Sequence, residues 1–208
     1  MPVAHYYAQK LAVHGNSARG VDWSTEDSQQ LRFTQLLKLL ADERECAILD
    51  YGCGCGALAE RLVDGPWPFR YVGFDVCQPM IAAAREAVRD ERCTFTSCAA
   101  ELPRVDYAFA SGIFNVKLDA PERRWEAHVL ATIAALHRHS RRGFAFNMLS
   151  RYADRELMRE DLYYADPGRY FRLCKERFTR NVSLLHDYDL YEFTLLVRLG
   201  TEPRSLVG

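Results

Sequence analysis

The stretch Asp50-Tyr51-Gly52-Cys53-Gly54-Cys55-Gly56 sets an acid ahead of three glycines at alternate positions. Glycines at this spacing let the backbone turn sharply and let a ligand approach without a Cβ in the way. The apolar run from Ala47 to Leu49 before the loop reads as a buried strand. After it, Leu58, Leu62 and Val63 fall at helical spacing. Strand, glycine loop and helix form the opening unit of a nucleotide-binding α/β sheet. A second acid, Asp75, closes the run from Arg70 to Phe74 and lies 23 residues beyond Gly52. That is where the second strand of such a sheet presents a carboxylate to ribose hydroxyls. For proton transfer the best candidate is His186, which ends the apolar run Val182 to Leu185 beside Asp187 and Tyr188. Tyr163 lies in a stretch, Glu160 to Pro167, whose aromatic and acidic side chains suit a cation or a hydroxylated small molecule. Asn115 is placed to orient a reacting group.

The elements that must position these residues follow from the patterning. A helix places Phe33, Leu36, Leu37 and Leu40 on one face, after a cap expected from Ser24 and Asp27. The residues before it are irregular and form either a lid over the ligand, as Trp23 beside Gly20 favours, or a tail fixed to the surface. Beyond the glycine loop, Asp64-Gly65-Pro66 ends a helix, and Pro79 starts another with Ile81, Ala84 and Val88 inward. Cys93 to Thr96 and Val105 to Ala110 are the third and fourth strands. Pro121 opens a long helix with Trp125, Val129, Ile133 and Leu136 on its buried side, and Gly143 to Leu149 is the fifth strand. This alternation means a parallel sheet with helices on both faces. Asp154 to Arg159 is expected as a short helix and Asp166-Pro167 as the cap of the next, with Tyr170, Phe171, Cys174 and Phe178 inward. Val182 to Leu185 and Glu192 to Leu199 are strands with too short a connection for a parallel crossover, so they form an antiparallel hairpin at the sheet edge.

A chain of 208 residues, 49% apolar and 26% charged, fits one soluble domain. The formal net charge of -1 offers no basic surface for nucleic acid or an anionic membrane. No apolar run is long enough to span a bilayer, and residues 1–10 lack a signal-peptide core, so a cytoplasmic protein is expected. Seven cysteines, an odd number, are scattered as small buried apolar residues rather than at framework spacings. The Cys53–Cys55 pair has no partners to complete four ligands, so no metal site is expected.

Two ligand classes share an adenosine: dinucleotides and S-adenosylmethionine. Residues 52–57 satisfy even a loose G-x-G-x-x-A dinucleotide pattern. Three features weigh against a dinucleotide. Little chain remains after the loop for a nicotinamide half and a substrate unit. The Tyr6–Lys10 pair, the only Tyr-x-x-x-Lys, precedes the loop. The closing hairpin is foreign to a dinucleotide sheet. With Asp50 to Gly56, Gly73-Phe74-Asp75 and the hairpin, the chain resembles the class I S-adenosylmethionine-dependent methyltransferases over about residues 46–199.

The resemblance implies a doubly wound, mostly parallel seven-stranded sheet with a C-terminal antiparallel hairpin, and S-adenosylmethionine as cofactor. It implies that Asp50, Gly52, Gly54 and Gly56 hold the methionine end, that Asp75 with Val76 takes the ribose, that Ala99 flanks adenine, and that Ser111 and Gly112 lie beneath the sulfonium. Cys98 and Ala99 stand where many members place an acid, so adenine recognition rests on backbone groups. Ile113 to Val116 replaces the signature of enzymes that methylate DNA bases. Residues 1–45 are expected as a helical lid segment packing on a cofactor-binding domain of residues 46–208, the two making one structural domain. The expected activity is methyl transfer to oxygen or nitrogen of a small molecule, with His186, Tyr163 and Asn115 as catalytic residues and neither nucleic acid nor membrane as partner. Two alternatives stand beside it: a macromolecular acceptor (glycan, carrier-bound intermediate or protein), or a cofactor-binding protein without transferase activity. The sequence leaves the acceptor and the oligomeric state open.

Overall fold

The computed structural model describes residues 2–15, 25–40, 45–65 and 68–200. Seven strands form one sheet: β1 (Cys46–Tyr51), β2 (Phe69–Phe74), β3 (Cys93–Thr96), β4 (Val105–Ala110), β5 (Ser140–Leu149), β6 (Val182–Leu185) and β7 (Glu192–Arg198). Their order across it is β3-β2-β1-β4-β5-β7-β6. The first five run parallel, and β7 pairs antiparallel with β5 on one side and β6 on the other. The mostly parallel sheet with a terminal antiparallel hairpin is as the residue patterning and the family resemblance imply. Every residue of β7 from Glu192 to Val197 is buried because the strand lies between two others and under helices on both faces.

Six helices are described: α1 (Pro2–His14), α2 (Glu26–Leu37), α3 (Ala57–Val63), α4 (Gln78–Ala87), α5 (Glu122–His139) and α6 (Pro167–Arg177). On one face α2, α3 and α4 bury Phe33, Leu36, Leu58, Leu62 and Ile81 against Ile48, Tyr71 and Phe109. On the other, α5 and α6 bury Val129, Ile133, Leu136, Tyr170 and Cys174 against Phe144, Phe146 and Leu195. Two buried cores, one per face, are what a parallel sheet requires.

Several local expectations shift. Residues expected to be irregular form α1, whose Tyr7, Ala8 and Leu11 pack against Cys55, Cys77 and Met80. The cap of α2 is Thr25 rather than Ser24. Its hydroxyl accepts from the Ser28 amide at 3.1 Å and the Ser28 hydroxyl accepts from the Thr25 amide at 3.3 Å, a closed capping box. Gly20, Trp23, Ser24 and Pro66 lie outside the described residues. The helix expected over Asp154 to Arg159 is a single 3-10 turn, Arg155–Leu157, with no buried residue to extend it.

The link from β3 to β4 carries only the 3-10 turn Ala99–Glu101. Length explains this. The link runs from Ser97 to Arg104 and crosses from the edge strand past β2 and β1. Strand spacing makes that about 14 Å sideways, plus the return along the strands. A link this short reaches at most about 28 Å fully extended, so it has no slack for a helix.

Candidate active site

At the carboxyl end of β1 the chain turns through three glycines in the left-handed region: Gly52 at φ 88°, Gly54 at 54° and Gly56 at 90°. An L side chain adopts such angles rarely. At Gly52 space forbids one as well, because a Cβ would stand 2.2 Å from Ile113 Cγ2. The turn is fixed to the end of β2: the Gly52 and Cys53 amides both donate to the Phe74 carbonyl, at 2.6 and 3.0 Å. Asp75 completes the brace. One carboxylate oxygen accepts from the Gly54 amide at 3.0 Å and the other from the Cys77 amide at 2.8 Å. Burial raises its pKa, and the two amide bonds oppose the rise.

Asp50 lies beneath this loop, 3% exposed, and its carboxylate accepts from the Tyr71 hydroxyl at 2.7 Å. Burial pushes its pKa up to about 7. The Tyr71 bond opposes that shift and the neighbouring Asp75 charge adds to it. Two carboxyl groups thus share one pocket wall, and no cation among the described residues pairs with Asp50. A buried carboxylate without a counter-charge favours a cationic ligand group in its neighbourhood.

The turn after β4 faces the glycine loop. Gly112, at φ 73°, donates its amide to Asn147 Oδ1 at 2.7 Å, and Asn147 Nδ2 donates to the Ser111 hydroxyl at 3.3 Å. Further on, Leu118 holds a left-handed conformation at φ 54°. The Lys117 and Leu118 amides both donate to the Asp161 carbonyl at 3.0 Å, which ties this turn to the stretch after β5. The Trp125 indole N–H donates to the Phe114 carbonyl at 2.9 Å and anchors the start of α5 to the same turn.

These pieces line an open cleft of about 900 Å³. Its floor is Asp50, Gly52, Gly54, Asp75 and Val76, and one end is Ser111 to Ile113 with residues 117–121. Arg124, Trp125, His128 and Thr132 of α5 form a side wall, and Tyr7 of α1 with Gln29 and Phe33 of α2 lie over it. Among the expected cofactor residues, seven of nine line the cavity. Gly56 instead ends the loop at the start of α3, where a Cβ would come within 3.3 Å of Ala84 and Val88. Ala99 is exposed on its 3-10 turn outside the lining.

None of the three expected catalytic side chains lines the cavity. Asn115 is buried and its Oδ1 accepts from the Leu149 amide at 3.1 Å, so it braces the turn against β5. Tyr163 is buried with its hydroxyl 3.0 Å from that of Tyr170 and 3.2 Å from Glu126, and burial raises its pKa. His186 is exposed, its ring against Tyr152 and Phe193. The cause is topological: β7 is inserted between β5 and β6, which carries the end of β6 outward to the edge. Tyr188, expected beside His186, pairs instead with the Thr194 hydroxyl at 2.8 Å. The histidine that does line the cavity is His128, in a row with Arg124 and Thr132 at i, i+4 and i+8.

A methyltransferase-domain model matches residues 48–143. A Mycobacterium tuberculosis protein named "Putative methyltransferase Rv1506c" is 48% identical over 153 residues, which cover 73% of this chain and 92% of that protein. The chain is a class I S-adenosylmethionine-dependent methyltransferase. Among solved structures, this methyltransferase superposes with a TM-score of 0.60 on Burkholderia thailandensis 1,6-didemethyltoxoflavin-N1-methyltransferase bound to its substrate and S-adenosylhomocysteine. That match has 20% identity over 94% of this chain and 90% of the other. The small RNA methyltransferase HEN1 gives a TM-score of 0.62 at 14% identity, over 85% of this chain and 26% of that one. Both likenesses show the shared fold. The pocket of this methyltransferase fits its cofactor: Gly54 keeps a side chain out of the loop that lines the cavity, the buried Asp50 has no counter-charge among the described residues and suits a cationic group, and Asp75 keeps carboxylate lone pairs for hydroxyls.

Proposed function

We infer that this methyltransferase acts on oxygen or nitrogen of a small molecule held in the cavity. The observation that carries this reading is the size of the cleft: at about 900 Å³ it is in the range of small-molecule sites, with residues of α1 and α2 lining it beside the cofactor loop and α5 with the 117–121 turn along its side. In this reading residues 1–45 serve as the lid segment of a single structural domain. Asp50, Gly52, Gly54, Asp75, Val76, Ser111 and Gly112 would hold S-adenosylmethionine. When bound, the cofactor supplies an electrophilic methyl on a sulfonium that departs as a neutral thioether.

The chain's own residues then have two tasks. The first is alignment, which supplies about 7–11 kcal/mol in well-oriented reactions. Contacts along the cleft from α1, α2 and α5 serve it. The second is acceptance of a proton when the acceptor arrives as an ammonium or a hydroxyl. His128 takes this task in place of His186. It opens on the cavity, its ring lies 5.1 Å from that of Trp125, and burial lowers its pKa, so the imidazole is neutral and free to accept a proton at physiological pH.

The deciding experiment incubates the protein and methyl-labelled S-adenosylmethionine with an extract of the source cells, then separates protein, nucleic acid and small molecules. Label is expected in the small-molecule fraction. Label in a polymer fraction alone overturns the reading in favour of a macromolecular acceptor. Binding of S-adenosylhomocysteine by calorimetry with no label in any fraction leaves a binding protein.

A further inference from the structure

The part of the cavity lined by the turn after β4 and the start of α5 has a charge character that the proposed transfer to a small molecule does not itself require. Lys117 and Arg124 both line it, on the turn after β4 and at the start of α5. Neither forms an ion pair among the described residues: Lys117 Nζ reaches the Leu118 carbonyl at 3.4 Å and only helps lower the pKa of Asp161, whose carboxylate is held by Arg159, and the Arg124 side chain makes no hydrogen bond. Asp119, which also lines the cavity, is exposed and pairs with neither. The floor carries the opposite sign, from Asp50 and Asp75. One cavity is thus lined by acids on β1 and after β2 and by cations on the turn after β4 and on α5.

The backbone that presents Lys117 is held in an unusual shape. Leu118 sits at φ 54°, a conformation that persists only where the surroundings over-determine it and that clusters at ligand clamps. Here the Lys117 and Leu118 amides are both fixed to the Asp161 carbonyl at 3.0 Å. Arg124 is positioned independently, one residue before Trp125, whose indole is anchored to the Phe114 carbonyl. His128 follows Arg124 by one helical turn on the same face.

We propose that Lys117 and Arg124 form an anion subsite, and that the methyl acceptor is a small molecule bearing a carboxylate or phosphate which docks there. Arg and Lys are the side chains that bind such groups with charge-assisted hydrogen bonds. The reacting oxygen or nitrogen of the docked molecule lies between the subsite and Ser111–Gly112, within the compass of His128. This rests on the small-molecule reading above and narrows it to anions. The other anion with the same chemistry is the carboxylate of the cofactor's own methionine, and the test separates the two.

Lys117→Met, Arg124→Met and the double variant are compared with the wild type by three readouts. The first is the dissociation constant of S-adenosylhomocysteine by calorimetry. The second is retention on an anion exchanger at pH 7 of whatever small molecule the wild type labels from a cell extract with methyl-labelled S-adenosylmethionine. The third is KM against kcat for that purified molecule. The proposal expects an anionic product and a KM raised roughly tenfold or more for each cation removed. It expects kcat to fall far less, S-adenosylhomocysteine affinity to stay within twofold, and Lys117→Arg to keep most of the affinity for the acceptor. A neutral or cationic labelled molecule, or an unchanged KM in the double variant, overturns the proposal. So does a weakened S-adenosylhomocysteine affinity, which would assign both cations to the cofactor. Label in polymers alone, or no label, overturns the small-molecule reading and the anion subsite with it.

Discussion

Asp50 is an acid held in the apolar interior with one tyrosine hydroxyl as its hydrogen-bond donor and another acid nearby. Its pKa rises from the ordinary 3.8 to about 7, so the folded protein binds a proton that the unfolded chain releases. Stability therefore falls as pH climbs between those values, by on the order of 4 kcal/mol once both states are ionised. Asp50→Asn should flatten that slope, so its melting temperature should change less than the wild type's between about pH 5 and pH 8. Parallel curves would show that Asp50 does not titrate in this range. A bound cation reverses the shift, so cofactor binding should release a proton near pH 7 and tighten as pH rises through it. Calorimetry in buffers of different ionisation enthalpy counts that proton, and a zero count removes Asp50 from the cofactor's surroundings. Gly52 carries a second prediction. Gly52→Ala places a methyl 2.2 Å from Ile113 Cγ2 at φ 88°, and the backbone conformation alone costs about 1–3 kcal/mol. Adding Ile113→Ala removes the clash and leaves the backbone cost, so melting should recover only partly. Full recovery would show that space, not conformation, required the glycine.

Elements were legible in the sequence where a local rule fixes them. The third and fourth strands have the bounds that patterning gives, because flanking turn residues and apolar runs coincide there. The glycine loop was legible for the same reason: few other structures need three glycines behind an acid. Two things were not. The first is α1, whose aromatic and small residues acquire a helical face only through the patch of Cys55, Cys77 and Met80 beneath them. The second is which histidine meets the cavity. His186 follows a strand that ends at the same end of the sheet as the site, yet the order β5-β7-β6 displaces it laterally to the edge, and strand order is set by pairing across long separations. His128 had its signal in the Arg124–His128–Thr132 row, but a polar stripe on a helix reads equally as a solvated face. Between elements, Arg32 of α2 donates two hydrogen bonds to Glu192 of β7, at 2.8 and 2.7 Å, with both residues buried. Arg32→Met would leave that carboxylate buried without its partner, which costs about 3–5 kcal/mol. For a chain of this length that lowers melting by roughly 6–20 °C. Arg32→Met with Glu192→Leu should recover most of the loss, because an apolar pair of similar volume is often neutral. A single variant that melts within a degree or two of wild type would show that the pair does not clamp α2.

At the scale of the whole molecule the cofactor cavity is assembled from distant segments: the floor from β1 and β2, one wall from α5, the roof from α1 and α2. A ligand bound there joins them all, so S-adenosylhomocysteine at about a hundred times its dissociation constant should stabilise the fold by about 2.7 kcal/mol, or roughly 5–11 °C. NAD at the same concentration should not, and stabilisation by NAD in place of S-adenosylhomocysteine would contradict the fit of the pocket to its cofactor. If α1 is a lid, its amides should also exchange more slowly when S-adenosylhomocysteine is bound. Unchanged exchange would make α1 a fixed wall. The clamp between Arg32 and Glu192 joins positions 160 residues apart, and it has a consequence on the ribosome. At elongation rates of about 5–20 residues per second, β7 emerges roughly 8–30 seconds after α2. Through that interval Phe33, Leu36 and Leu37 have made only part of their final contacts, and Arg32 has no carboxylate to meet. The nascent chain therefore offers an incompletely docked apolar helix to whatever chaperone attends the exit tunnel. The tie that holds α2 beside the cofactor loop therefore forms only once β7 has filled the penultimate position of the sheet.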